Sequence, residues 1–185
     1  MNQHQPYLQT TLRSRARPET IYDLLADLRS HLEWGGKRQT RVFRLASLDA
    51  PSEPAVIGTT FSSTGVLPMS VRRWRDHSTV SAADRPRRFE ITTKASNGER
   101  RTMSAIYRHR YDIAGEDGGS RVTYTLTQLE LARPMLRWAI PGMSRMTWLM
   151  TPMFTTRGVR NLLAMAEERE RHTPRTTPSG VVAGG

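Results

Sequence analysis

Cysteine is absent from this 185-residue chain, which excludes a disulfide framework and any thiolate nucleophile or thiolate metal ligand. Lysine is nearly absent: of the 28 basic residues only Lys37 and Lys94 are lysine, and the rest are arginine. No stretch approaches the ~20 consecutive apolar residues that a membrane-spanning helix needs. The five histidines (His4, His31, His77, His109, His172) are scattered, with no HxxxH or HExxH spacing, and no carboxylates are paired at ligand spacing. No metal site and no cofactor are therefore expected. The opening MNQHQPYLQT has neither a basic nor an apolar region, so no secretory signal is expected, and the protein is read as cytoplasmic.

What the chain has in excess is positive charge, a formal +11. A basic balance raises the question of nucleic acid. Here the arginines are spread along the whole chain, whereas a nucleic-acid surface usually clusters arginine with lysine. The expectation is weak, salt-sensitive, sequence-independent binding at most, with no specific nucleic-acid partner. The length suits one domain, large enough to bury roughly 70% of its unfolded surface without staples. Residues 8–171 are read as that domain, between a flexible start (1–7) and a disordered tail (172–185).

Leu8, Thr10, Leu12, Ser14 and Ala16 alternate with polar residues, the pattern of a half-buried antiparallel strand. In "RPETIYDLLADLRSHLEW", Pro18 suits a first helical turn, and Glu19 and Asp23 lie near its positive end. Ile21, Leu24, Leu25 and Leu28 make it amphipathic, with a break near Ser30 and an end at Gly35-Gly36. Six further strands are predicted at 39–48, 58–64, 71–80, 87–95, 101–114 and 120–131, and Asn97-Gly98 and Gly118-Gly119 mark hairpin turns between the last three. Beyond Ala132 the pattern is helical to about Arg171. Pro134, Pro141 and Pro152 are expected to start or kink segments there, and Glu167, Glu168, Arg169, Glu170 and Arg171 read as a solvated charge run.

This order of strand, helix, six strands and long C-terminal helix resembles the START-like, or polyketide cyclase/dehydrase and lipid-transport (SRPBCC), superfamily. The likeness rests on "ARPETIYDLLADLRSHLEW", on Gly58 and Phe61 of "GTTF", on "RRWRDHSTVSAADRPRRFEI", on "GGSRVTYTLT" and on "RGVRNLLAMAEE", and it covers about residues 8–170. It implies an α+β helix-grip fold: a bent antiparallel sheet of about seven strands wrapped around the C-terminal helix, enclosing a hydrophobic cavity. Relatives bind sterols, phospholipids, polyketides, plant hormones or other apolar molecules, and some are cyclases. The fold alone does not choose among these.

On that geometry the face formed by Met103, Ala105, Tyr107, His109, Tyr111 and Ile113 points at the cavity. His109 is then an orienting group or the one weak catalytic candidate, weighed against a hydrogen-bonded core histidine. Tyr107, Tyr111 and Tyr124 are donors to a ligand or packing residues. Leu126 and Gln128 continue the next strand's face, while Glu130 is read more readily as a strand-end surface carboxylate. Trp34 and Trp74 are candidates to line a mouth; Trp74, between Arg73 and Arg75, is alternatively a surface plate covered by arginine stems. Met143, Met146, Met150 and Met153 recur at helical spacing, and Phe154 and Leu162 continue their stripe. That stripe is core, an adaptable cavity wall, or a membrane contact through residues 133–153, where Arg133, Arg137 and Arg145 flank Trp138 and Trp148.

The first reading is therefore binding or transport of a small hydrophobic molecule. One alternative is a cofactor-free cyclase or dehydratase acting on a polyketide-like substrate. The other is a lipid-handling protein at the membrane surface. The sequence leaves the oligomeric state open.

Overall fold

The computed structural model describes residues 8–38, 44–66, 73–96, 104–131 and 141–172; the side chains of Leu131 and of residues 141–155 lie outside the description. Seven strands form one antiparallel sheet: β1 (Leu8–Ser14), β2 (Arg44–Asp49), β3 (Thr60–Val66), β4 (Arg73–Asp84), β5 (Arg88–Ser96), β6 (Ser104–Glu116) and β7 (Gly119–Leu131). Their order across the sheet is β1-β7-β6-β5-β4-β3-β2. Helix α1 (Pro18–Ala26) and helix α2 (Pro141–His172) complete the α+β helix-grip arrangement. Among the described residues no helix is long and apolar enough to cross a membrane.

All seven expected strands are present. Residues 39–43, the expected start of β2, and Asn97-Gly98 fall outside the described residues. The strands that Asn97-Gly98 joins nevertheless pair from Arg88↔Asp112 to Ser96↔Ser104. Gly118 turns the next hairpin at φ +81°, where only glycine is unstrained. A Cβ on its neighbour Gly119 would fall on the Ser14 carbonyl, so β1 can lie close against that turn. β4 runs past its expected end at Val80 to Asp84, because a bulge between Val80 and Ala82 restores its pairing with β5.

Alternation sorts the sheet into two faces. The outer one carries Arg88, Arg108 and Arg110 interleaved with Glu90 and Asp112, which pair with them (for example Arg110 Nε to Asp112 Oδ2, 2.7 Å). The inner one packs on the helices, and Phe89, Ile21, Leu25, Leu28, Val122 and Leu162 are fully buried between them.

The helices depart from the sequence reading in three places. The first helix breaks at Asp27, earlier than Ser30, into a 3-10 turn at Leu28–Ser30. Ser30 Oγ donates to Leu24 O (2.6 Å), and His31 Nε2 sits 2.8 Å from Leu25 O, so two side chains satisfy carbonyls that α1 leaves open. Gly35-Gly36 does not end the helix but lies in a π-helical turn, Glu33–Lys37; a Cβ at Gly36 would meet Leu45 O at 2.8 Å, so β2 passes too close for a side chain. α2 starts at Pro141, as proline at a first helical position favours, but continues unbroken through Pro152. A proline there removes one internal bond at a cost of about 3 kcal/mol, which a 32-residue helix anchored along its later turns absorbs.

That anchoring corrects the reading of the charge run. Glu167 Oε1 accepts from Ser14 Oγ (2.8 Å) and Arg15 N (2.9 Å). Glu170 Oε1 accepts from Arg17 N (2.8 Å), Arg17 Nε (3.1 Å) and Thr20 Oγ1 (2.6 Å). Glu168 takes both Arg38 guanidinium nitrogens, at 3.1 and 2.8 Å. Arg17, at the N-cap of α1, makes no side-chain cap bond, and Glu170 instead holds the start of α1 from another helix through the Arg17 N–H and the Thr20 hydroxyl. His172, the first residue of the expected tail, is the last residue of α2, with Nδ1 2.7 Å from Glu168 O; residues 173–185 lie outside the described residues.

Candidate ligand cavity

Cross-strand register builds the inner face row by row, since directly opposed residues share a face. One row holds Phe61↔Ser78, Ser78↔Thr93, Thr93↔Tyr107 and Tyr107↔Gln128. A neighbouring row holds Ser63↔Asp76, Asp76↔Ala95 and Ala95↔Ala105. On the other side, Ile91↔His109 and His109↔Leu126 form a third, and Phe89↔Tyr111 and Tyr111↔Tyr124 a fourth. Phe89, Ile113 and Val122 fill the space under the helices at one end of these rows. At the other end the side chains are smaller (Ser63, Ser78, Thr93), and a cavity of about 200 Å³ remains. His31 and Trp34 line it from the turn after α1, and Gly158 and Val159 line it from α2.

The lining is mostly apolar and aromatic, with a few polar groups set into it. Trp34, Phe61, Tyr111 and Tyr124 supply rings, and the centroid of His31 lies 4.7 Å from that of Trp34 and 6.3 Å from that of Phe61. His109 Nδ1 is 2.8 Å from Tyr124 Oη. Ser78 Oγ and Thr93 Oγ1 satisfy each other at 2.9 Å. Asp76 faces the same space, where a hydrogen bond from Ser63 stabilises its charged form.

Burial controls the protonation of these groups. Desolvation pushes the Asp76 carboxyl up to about 6, against the opposing effect of the Ser63 hydrogen bond. Desolvation also lowers His31 to about 4, although the Leu25 carbonyl and Asp27 favour its charged form. His109 falls to about 4 through burial and then through the neighbouring His31. Its remaining surface opens on the cavity, so the ring is removed from bulk water although it is only half-buried. Burial raises Tyr111, and burial with Tyr111 alongside raises Tyr124 well above the ordinary phenol value. At neutral pH both histidines and both phenols are neutral, and Asp76 is mainly ionised. The Trp34 indole N–H is buried with no hydrogen-bond partner among the described residues.

His109, Tyr111 and Tyr124, expected from the sequence, are brought together on the cavity. Leu126 and Leu162 are instead fully packed core residues beneath it. Trp74, Tyr107 and Gln128 share the inner face but do not line the cavity, Tyr107 packing partly buried against the core. Glu130 is exposed: a bulge between its row and Gln128 pairs it with Ile106 and turns it to the outer face. Met103 lies outside the described residues, as do the side chains of Met150, Met153 and Phe154 and those of the whole methionine stripe.

Sequence reasoning missed Asp76 and His31. Both carried a signal: Asp76 alternates with Trp74, Ser78 and Val80 on the apolar side of its strand, and His31 follows Leu28 at helical spacing. Among the described residues no group of three potential ligands is placed to hold a metal ion. Two larger depressions lie on the outer sheet face, one along Thr11, Arg88, Asp112 and Arg121 and one along Ser62, His77, Thr79 and Lys94. Both have a more polar lining and present side chains already paired or solvated, so the smaller, more apolar cavity beneath α2 is the better site.

No family model matches the chain, and no curated protein matches it either. Solved structures do match. A conserved protein from Geobacillus kaustophilus superposes with a TM-score of 0.62 at 12% identity, covering 86% of this chain and 94% of that one. A protein from Chromobacterium violaceum gives 0.61 at 12% identity, covering 86% and 96%. A protein from Thermus thermophilus gives 0.53 at 20% identity, covering 88% and 94%. At such identities the likeness establishes a shared fold over nearly the full length of these proteins.

Proposed function

We propose that this chain is a START-like protein that holds a small, largely apolar molecule in the cavity between the inner sheet face and α2, acting in the cytoplasm as a binding or transport protein. The observation that carries this is the cavity itself: an aromatic-lined space of about 200 Å³ with convergent polar groups, in a fold whose other end is solidly packed. The space is smaller than that of a drug-sized pocket and suits a ligand of about ten non-hydrogen atoms. Burying about 200 Å² of such a ligand contributes about 5 kcal/mol. That alone corresponds to binding near the millimolar level, so the polar groups decide among ligands.

The test is native mass spectrometry of protein purified from its own host, beside a Gly158→Leu variant that fills the cavity. A retained small mass in the natural protein and its loss in the variant are expected. No retained mass, together with no response to a panel of small apolar molecules, overturns the proposal.

A second reading, a cofactor-free cyclase or dehydratase, is favoured by one specific observation. Asp76, poised near neutrality, shares the cavity with the hydrogen-bonded His109–Tyr124 pair. A carboxylate of that pKa is a competent general base, and a neutral phenol can stabilise a developing oxyanion. On this reading Asp76→Asn and His109→Ala lower turnover of a polyketide-like substrate by orders of magnitude, whereas a binding protein shows only altered affinity.

A further inference from the structure

We propose that the ligand held in this cavity is a small aromatic or cyclic amine, bound as its ammonium by Asp76 and by the surrounding aromatic rings. This deepens the binding reading above and rests on it.

The argument is an inventory of donors and acceptors. Asp76 brings a carboxylate into an apolar space, and one hydrogen bond from Ser63 occupies only part of its acceptor capacity. Among the described residues no lysine or arginine faces it. His31 is a second acceptor. Its Nε2 lies on the Leu25 carbonyl, which can only accept, so Nε2 carries the proton and Nδ1 of the neutral ring is left with a lone pair. His109 and Tyr124 use their facing atoms on each other. Ser78 and Thr93 are likewise spent on each other. The Trp34 N–H and the Tyr111 hydroxyl are neutral donors without a described hydrogen-bond partner. The cavity thus presents one negative charge, spare acceptors, two neutral donors and no described cation, although the chain as a whole carries +11.

A carboxylate or phosphate ligand would meet like charge there and nothing to neutralise it. A neutral hydrocarbon would fill the space and leave Asp76 buried and poorly solvated. An ammonium satisfies the carboxylate, donates to the free lone pairs, and lies among Trp34, Phe61, Tyr111 and Tyr124, whose ring faces attract cations. The apolar body of the same molecule covers Ile91 and Val159.

The test uses three matched probes, 2-phenylethylamine, 2-phenylethanol and phenylacetate, titrated into the full chain while the methyl resonances of Ile91 and Val159 are followed. The amine is expected to bind about tenfold or more tightly than the alcohol, with the carboxylate weakest. Asp76→Asn is expected to remove the amine's advantage, so that amine and alcohol bind alike.

A second arm needs no variant. The titratable groups facing this space are His31, His109, Tyr111, Tyr124 and Asp76. In the natural protein, affinity for the amine should fall on acidification as Asp76 takes up a proton near pH 6, while that for the alcohol stays flat. The two histidines titrate lower, near 4. An alcohol that binds as well as the amine, or an amine advantage that persists in Asp76→Asn or below that pH, overturns the amine assignment and leaves the cavity as a binding site. Failure of all three probes to move either methyl overturns both.

Discussion

The space beneath α2 has two ends built on opposite principles. At the end next to β1 and α1, the helix is held by a closed set of polar contacts over a dry core. Glu167, Glu168 and Glu170 are all matched to donors, and Ile21, Leu25, Phe89 and Leu162 are packed without exposed surface. At the cavity end, Asp76 is ionised against its surroundings, two histidines are held neutral, and the Trp34 indole N–H has no partner among the described residues. Satisfied polar groups stabilise; unsatisfied ones persist in a native fold where something other than stability maintains them. The difference supports placing the proposed site at the second end.

The contrast can be broken most forcefully at the dry end. Leu162→Ala leaves a void at a fully buried position, and a loss of about 2–5 kcal/mol in unfolding free energy is expected by denaturant titration. At the cavity end the sign should reverse. Asp76→Asn should stabilise the protein by about 1–3 kcal/mol at neutral pH, because it removes a buried charge. Asp76 has a folded pKa of about 6 against an ordinary value of 3.8, so its protonated form favours the fold. Its contribution is complete below 3.8 and is lost as pH rises through about 6, so the advantage of asparagine should vanish over the same interval on acidification.

A smaller effect is expected at the clamp. Glu170→Ala strips Arg17 N and Thr20 Oγ1 of their acceptor and should cost about 1–2 kcal/mol. Burial works against the Glu170 carboxylate, but Thr20 and Arg17 together hold its pKa below the usual range, so that part of the stability should fade in acid.

The smallest signal comes from pH alone. His31 and His109 fold with pKa values near 4, below the ordinary 6.5, so their neutral forms favour the native state. Their stabilisation is complete above 6.5 and lost as pH falls toward 4. Replacing His109 by Gln should flatten that slope by one proton, measured as the pH dependence of the denaturation midpoint.

How far the sequence can be read follows from which interactions are local. Strand alternation and the Gly118-Gly119 turn are properties of neighbouring residues, and they carry the number of strands and the inward side of β6. Where distant chain segments decide, the sequence pattern misleads. Pro152 reads as a helix interruption, but contacts from β1, α1 and the π-helical turn anchor the turns that follow it. Glu170 looks solvated until the uncapped start of α1 is placed beside it. The face reached by Glu130 depends on a bulge that no alternation rule announces. His109 is legible because it stands in a clean apolar row. Asp76 carries a weaker signal, because the row it shares with Trp74 and Val80 also holds the polar Ser78.

The central claim is that the aromatic cavity between the sheet and α2 is an open binding site. The most direct measurement is the set of Ile91 and Val159 methyl shifts on titration with a small aromatic probe, since both side chains line that space. The account predicts saturable shifts at both residues, lost when Gly158→Leu fills the cavity. Shifts confined to the outer-face depressions, or none at either methyl, would contradict it.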